Sequence, residues 1–259
     1  GWAWIASPGD GLNFVQLTLD AAATDLPKRA ALDRWLEQRL HQIPSTTDLA
    51  RGSKPVSEVI ARGSTSVLRG ELVQERQLRI GDAAMAVDPL SGNGIFQALS
   101  SALVAPAVIN TLLQRPHEQR LAATFYRQRL EQGFLRFART GRDFYRMEQR
   151  WPEADFWRAR RDWPDTAPAH TQDPPTLLEL AQRPVVSNGF IELRAVAVTS
   201  DQPQGVWHVA DVELAPLLRE LPPGETQRQG AITLRLDRSG IERARREVVE
   251  AWLRRYRLL

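Results

Sequence analysis

One stretch constrains this chain more than any other: Gly81-Asp82-Ala83-Ala84-Met85-Ala86-Val87-Asp88-Pro89-Leu90-Ser91-Gly92-Asn93-Gly94. A short run, Gln77-Leu78-Arg79-Ile80, precedes it, and an apolar run from Ile95 to Leu113 follows. That order predicts a strand, a polar turn and the start of a helix. The glycines let the backbone approach a flat ring without side-chain obstruction. Asp82, at the carboxyl end of the strand, is placed to accept hydrogen bonds from ligand hydroxyls. The helix start offers unpaired N–H groups and a positive dipole end. A flat ligand with hydroxyls and a negative edge suits that combination.

A flavin has all three properties, since its ribityl chain carries hydroxyls and its reduced ring is negative near N1 and C2=O. The stretch therefore reads as half of a flavin site. Its pattern, G-D-A-A-x-x-x-x-P-x-x-G-x-G, resembles the second FAD motif of group A flavoprotein monooxygenases, the hydroxybenzoate-hydroxylase fold. Asp88-Pro89, with Met85 where many hydroxylases carry His, resembles the tryptophan-halogenase branch more closely. Gly1-Trp2-Ala3-Trp4-Ile5 is similar to that branch's W-x-W-x-I-P segment. Phe144 to Trp151 and Asp155-Phe156-Trp157-Arg158 are similar to its F-W-R region. The branch includes flavoproteins that oxidise a protein tryptophan during tryptophylquinone biogenesis, and the chain resembles those most.

The resemblance implies an α/β architecture: the C-terminal part of a hydroxybenzoate-hydroxylase-like FAD fold, a mixed sheet plus flavin helix, with a smaller α/β C-terminal domain. It implies FAD, held by Gly81, Asp82, Pro89, Gly92, Asn93 and Gly94, with Trp2 and Trp4 on the substrate side. The implied reaction is hydroxylation of an aromatic substrate, including a tryptophan within a peptide or protein. It would be driven by an external flavin reductant or NAD(P)H. Two departures weigh against the alternative, a tryptophan halogenase. The I-P dipeptide falls on Ala6-Ser7 with Pro8 displaced by one, and Phe96 and Ser100 or Ser101 replace the Asn and Asp of many hydroxylases. Lys28 and Lys54 sit in no motif matching the halogenase lysine, which would lie upstream.

No G-x-G-x-x-G opens a strand-to-helix turn, so the ADP-binding fingerprint is missing. The chain begins inside an expected strand. The expectation is therefore a C-terminal piece of a longer flavoprotein, inactive by itself, whose ADP-binding half lies upstream as a partner. Residues 1–161 would form part of the FAD- and substrate-binding domain, and residues 176–259 a small C-terminal domain.

At 259 residues, with 42% hydrophobic and 25% charged content, the composition is that of an ordinary globular protein. There is no cysteine, which excludes disulfides and thiolate metal sites and fits a cytoplasmic location. No apolar run approaches the length expected of a bilayer-crossing segment, so no membrane partner is predicted. The net charge is only +3, too small to imply a nucleic-acid partner without a clustered basic face. His41, His117, His170 and His208 lack metal-ligand spacing, so no metal is expected.

Along the chain, Trp2–Ile5 and Asn13–Leu19 predict a hairpin, and Lys28–Gln42 an amphipathic helix. Val56–Ile60 and Ser66–Leu68 predict strands of one sheet. Ile95–Leu113, apolar nearly all round, should be buried, with a kink or break at Pro106. Glu118–Arg150 predicts one long helix or two, interrupted near Gly133 or Gly141. Its aromatics Phe125, Tyr126, Phe134, Phe137, Phe144 and Tyr145 read mainly as packing. Residues 162–175 predict a linker, followed by a strand at 190–198, a helix at 214–221, a strand at 231–236 and a helix from Ile241.

In that last helix Ile241, Ala244, Val248, Trp252 and Tyr256 share a face that reads as a docking surface, either internal or for a partner. A non-enzymatic DNA-binding or docking module is the alternative for this part, using Arg243, Arg245, Arg246, Arg254, Arg255 and Arg257. Interleaved Glu242, Glu247 and Glu250 point instead to a solvated, ion-paired face. Ser91 lacks a G-x-S-x-G elbow and reads as a turn residue. Glu148, Glu153 and Asp155 read as ion-paired rather than catalytic.

Overall fold

A computed structural model describes residues 1–74, 77–169 and 174–259. Strands β1 (Trp2–Ala6) and β2 (Phe14–Thr18) come first, then helices α1 (Leu32–Gln42) and α2 (Pro44–Ala50). Four short strands follow: β3 (Val67–Leu68), β4 (Val73–Gln74), β5 (Gln77–Leu78) and β6 (Met85–Ala86). The long helices α3 (Gly94–Gln114) and α4 (Gln119–Met147) and the short α5 (Asp155–Arg161) come next. Beyond them lie β7 (Leu177–Ser187), β8 (Phe190–Thr199), β9 (Gln202–Val206), β10 (His208–Val209) and β11 (Val212–Glu213). The chain closes with α6 (Ala215–Leu218), α7 (Glu225–Arg238) and α8 (Arg243–Arg255). Strand pairing among the described residues is antiparallel, in β1–β2, β3–β6, β4–β5, β10–β11 and the three-stranded β7–β8–β9.

The chain forms two compact units. The first is Gly1–Thr65 with Arg142–Trp163. Its hairpin pairs Trp2 with Thr18 and Trp4 with Gln16, so Trp2 and Trp4 share one face. The Trp2 indole N–H donates to the Tyr145 hydroxyl at 3.2 Å. Tyr145, Phe156 and Trp157 are buried and meet edge to face, with ring centroids 5.4 to 6.0 Å apart. Such edge-to-face contacts add to what burial alone supplies. Trp151 stacks on Trp157 at 6.4 Å. Residues 56–60 form no strand, and Val56 and Ile60 are exposed. The apolar spacing there was local coincidence, without a paired neighbour to complete it.

The second unit is Ser66–Gly141 with Pro164–Leu259. One of its cores lies where α3 and α4 meet β6 and β8, and includes Met85, Val104, Val108, Tyr126, Leu130, Phe137 and Ile191. Contrary to expectation, α4 runs unbroken through Gly133 and Gly141. A Cβ at Gly133 would lie 3.5 Å from Met85 Cε, and one at Gly141 3.7 Å from Asp88 Cβ. Both glycines thus sit where neighbours come close. Helix α3 also continues through Pro106, which lies on its exposed side. With 21 residues and an apolar composition, α3 is long and apolar enough to span a membrane, which corrects the sequence expectation. It is also buried on one face only, not all round.

The second core joins α6, α7, α8 and β8 through Leu214, Leu217, Ile232, Leu236, Val249 and Leu253. Residues 231–236 belong to helix α7, not to a strand. Ile232, Leu234 and Leu236 alternate like a strand, yet only Ile232 and Leu236 are buried, at helical i, i+4 spacing. In α8 the buried face is Val249, Leu253 and Tyr256, while Ala244 and Val248 are exposed. Of the face read from the sequence, Ile241, Trp252 and Tyr256 pack in or against this internal core, whereas Ala244 and Val248 do not. Part of the expected linker, residues 170–173 with His170, lies outside the described residues.

Candidate functional site

The connection from β5 to α3 is built by local hydrogen bonds. Gly81 has φ of +55°, and its N–H donates to Ser101 Oγ of α3 at 2.9 Å. A Cβ at Gly81 would stand 3.5 Å from the Ala98 Cβ, so the backbone lies against the helix. Gly81 to Ala83 then make a single turn of 3₁₀ helix that presents Asp82 to solvent. Among the described residues the Asp82 carboxylate makes no ion pair, which leaves its lone pairs available to a ligand.

The second half of the connection is a tight turn. Asp88 Oδ1 accepts from the Leu90 N–H at 2.9 Å, capping the 3₁₀ turn Pro89–Ser91. Ser91 Oγ donates to the Asp88 carbonyl at 2.8 Å, so it is held as a turn residue. Gly92 takes φ of +66°, with open space where a Cβ would be. The left-handed conformation favours glycine there. Asn93 precedes α3 but does not cap it; its Nδ2 donates back to the Ser91 carbonyl at 2.7 Å. No side chain caps the helix, no acidic residue lies in its first turn, and Gly94, Ile95 and Phe96 are exposed. The first-turn N–H groups and the positive end of a long helix dipole thus face outward, an arrangement suited to a negative ligand edge.

Sequence reasoning missed Gln97. Its side chain is 1% exposed, and neither amide heteroatom has a hydrogen-bond partner among the described residues. A buried amide without partners is costly, by about 1–3 kcal/mol, so this amide calls for a partner, whether an ordered water, an ion or a ligand. The available signal was positional: Gln97, Ser101, Val104, Val108 and Thr111 share one face of an otherwise apolar helix. Below this face the buried Tyr126 hydroxyl donates to the Arg79 carbonyl at 2.6 Å. Burial pushes its pKa up to about 12, so it remains a neutral donor.

Gly81, Asp82, Pro89, Gly92, Asn93 and Gly94 therefore lie on one connection, which runs into the α3 terminus. Trp2 and Trp4 belong to the first unit, where Trp2 is partly buried and Trp4 is 52% exposed. There too, Glu148 pairs with Arg150 at 2.5 Å and Asp155 pairs with Arg158. The hydrogen bonds from Arg150 hold the Glu148 carboxyl at about 2, the behaviour of a structural ion pair rather than a proton-transfer group.

No family model matches the chain. Over 82 residues it is 32% identical to a tryptophan 2-halogenase of Chondromyces crocatus, covering 32% of this chain and 16% of that protein. Over 165 residues it is 25% identical to LodB of Marinomonas mediterranea, described as an FAD-dependent oxidoreductase, covering 62% of this chain and 42% of that one. Among solved structures it is similar to QhpG, a peptidyl tryptophan dihydroxylase essential for tryptophylquinone cofactor biogenesis. That likeness has 46% identity and a TM-score of 0.76, over 99% of this chain and 58% of QhpG. The flavin-dependent halogenase CmlS shares the fold at 18% identity and a TM-score of 0.67, over 98% of this chain and 56% of CmlS. The chain thus spans little more than half of the structural neighbours and less than half of the curated relatives. The glycine loop, the uncapped helix behind it and these similarities together support a place in the flavoprotein monooxygenase and halogenase superfamily.

Proposed function

We propose that this chain forms part of an FAD-dependent monooxygenase that hydroxylates an aromatic substrate, a tryptophan held within a peptide or protein. The observation that carries the reading is the 46% identity to a peptidyl tryptophan dihydroxylase across 99% of this chain. The site's geometry supports the cofactor. Asp82 would accept hydrogen bonds from the ribityl hydroxyls, and the backbone at Gly92 and Gly94 would lie against the ring. The uncapped N–H groups of α3 would stabilise negative charge on the pyrimidine edge of the reduced ring. The buried Gln97 amide in the same turn offers one more donor and acceptor. When bound, the flavin supplies the oxygen chemistry, and the protein supplies binding, orientation and a fixed field.

Trp2 and Trp4 are the substrate-side residues of this reading. The exposed Trp4 face would stack against an indole, while Trp2 is held by its bond to Tyr145. The cofactor needs an external reductant, NAD(P)H or a reduced flavin donor. The 82-residue match to a tryptophan 2-halogenase favours a second reading, chlorination of free tryptophan. The deciding experiment offers the reduced full-length protein oxygen, chloride, free tryptophan and a tryptophan-containing protein partner, then weighs the products. Oxygen added to the protein partner is the expected result. Chlorine gained by free tryptophan would establish the halogenase instead.

A further inference from the structure

Along one side of the α3–α4 pair, four side chains form a patch that the flavin reading leaves unused. Phe96 and Ser100 are one turn apart on α3, at the edge of the open apolar stripe of Ile95, Leu99 and Leu103. Arg129 and Arg136 are two turns apart on α4, so they share one side of that helix, about 10 Å apart along its axis. The two pairs meet. Arg129 Nη2 donates to Ser100 Oγ at 3.3 Å. Arg136 lies over the Phe137 ring at 4.9 Å, and Phe137 meets Phe96 edge to face at 6.4 Å. Phe96 is 59% exposed, so much of its ring stays open beside the arginines.

Neither guanidinium makes an ion pair among the described residues. Glu131, the nearest acid along α4, lines a groove against Gln182 and Arg183 of β7, on another side of the helix. Burial first, and then the charge of Arg136, lower the Arg129 pKa. Two cations therefore stand near each other, partly out of water, with no anion between them. Arginine is weakly hydrated, and its planar fork matches phosphate oxygens in pairs. Ser100 and Phe137 hold the two guanidinium groups apart, so a ligand with two separate phosphate positions suits them better than a single phosphate. The open Phe96 ring adds a surface on which a flat base stacks.

We propose that this patch binds the adenosine part of a phosphorylated nicotinamide dinucleotide, whose ribose carries phosphate at both its 2′ and 5′ positions, and so selects NADPH over NADH as the reductant. This rests on the flavin reading above and names the donor which that reading leaves open. Phe96 follows Gly94 by two residues, so a dinucleotide lying on the patch has one end beside the glycine connection. The adenosine ribose of FAD carries phosphate at its 5′ position alone and would leave one arginine unpaired. An acidic protein segment would use the arginines but has no base to lay on the open ring.

The test uses the natural full-length protein and 2′,5′-ADP, which carries both phosphates and no nicotinamide. Calorimetric titration compares the unaltered protein with Arg129→Lys, Arg136→Gln and a control, Arg127→Gln, whose exposed side chain lies elsewhere on α4. The unaltered protein should bind 2′,5′-ADP, more weakly as salt rises. Arg136→Gln should weaken that binding about 10- to 100-fold, the worth of a charge-assisted hydrogen bond. Arg129→Lys keeps the charge but loses the fork, and should weaken it by a smaller factor. NADPH should follow 2′,5′-ADP in each variant, while NADH should bind the unaltered protein less tightly and lose less. Equal affinity in the unaltered protein and both variants would overturn the proposal, as would no binding at all or an equal loss in Arg127→Gln. Loss of bound flavin from the variants would assign the arginines to the resident cofactor, and loss of the tryptophan-containing protein partner alone would assign them to docking; either result overturns it. Bound flavin, read from the visible absorbance of the same sample, separates the two claims. Binding of 2′,5′-ADP to a protein without flavin would keep the phosphate site and remove the flavin reading; flavin without 2′,5′-ADP binding would do the reverse.

Discussion

Helices α3 and α8 both bury one face, but their outward faces are made of opposite chemistry. The outward face of α8 is charged and internally matched. Arg246 pairs with Asp237 at 2.8 Å and with Glu250 at 2.7 Å, Arg254 pairs with Glu250 at 2.7 Å, and Arg243 pairs with Glu247 at 3.1 Å. Arg255 reaches Asp201 at 3.0 Å, and Arg245 lies near Asp211 and Glu242. Arginines so occupied are poor candidates for phosphate contacts, which weakens the DNA-binding alternative. The outward face of α3 has no charge and a row of large apolar side chains. The contrast teaches how to tell a finished surface from an interface. A finished helix face meets water with solvated, paired ions, whereas an apolar face awaits another body.

A pair of truncations in the 259-residue chain separates the covered and open helix faces by the largest effect. Leu253→Ala removes a side chain that is 0% exposed in the C-terminal core, and should destabilise by about 2–5 kcal/mol. Leu103→Ala, on the open stripe, should stay within about 0.5 kcal/mol. Urea unfolding midpoints check both. A large loss at Leu103 would mean that the stripe is already covered within these residues.

The next effect concerns the glycine connection in the full-length protein. Asp82→Ala should weaken FAD binding about 10- to 100-fold, the worth of a charge-assisted hydrogen bond. Its apo unfolding midpoint should not move, because Asp82 is exposed and lacks an ion pair among the described residues. Titration followed by flavin fluorescence measures the first quantity. Unchanged affinity would remove Asp82 from the site.

The smallest effect tests the ionic finish of α8. The Glu250 carboxyl is held below the usual carboxylate range, first by its hydrogen bond from Arg246 and then by the charges of Arg246 and Arg254. Because the folded value lies below the unfolded one, its contribution to stability is present above the ordinary carboxylate pKa. That contribution is lost as the pH falls through the lowered folded value. Glu250→Gln should therefore lower stability modestly at neutral pH and leave it unchanged in strong acid, which flattens the acid limb of a stability-against-pH curve. An equally steep limb in the variant would show that the α8 pairs add nothing to acid stability.

Local chemistry made several elements legible. The hairpin of β1 and β2 follows from alternating residues around a Ser-Pro-Gly-Asp-Gly loop, and the strand–turn–helix order around residues 81–94 follows from its glycines and the apolar run behind them. The Asn188-Gly189 turn is legible in the same way. Both residues have positive φ, 50° and 78°, the signature of a two-residue hairpin turn, and it joins the two longest strands. Residues 231–236 were misread because three alternating apolar residues fit a strand and a helix equally at that length. Only the wider run, Glu225–Arg238, distinguishes them.

By itself the sequence determined the glycine turn, its uncapped helix and the acidic residue that faces outward, because backbone conformation and periodicity are local properties. Tertiary structure decided what a local pattern cannot hold: which side of each helix is covered. Val249 and Leu253 are buried while Val248 is exposed, because Leu214, Ile232 and Leu236 lie on one side of α8 and not the other. Likewise α3 is apolar on every side in the sequence, and its partners in space separate a core face from an open one. The Gln97 amide became visible as an orphan only once its surroundings were built. Burial is a relation between surfaces far apart in the chain, and a one-dimensional pattern specifies only the surface that each element offers.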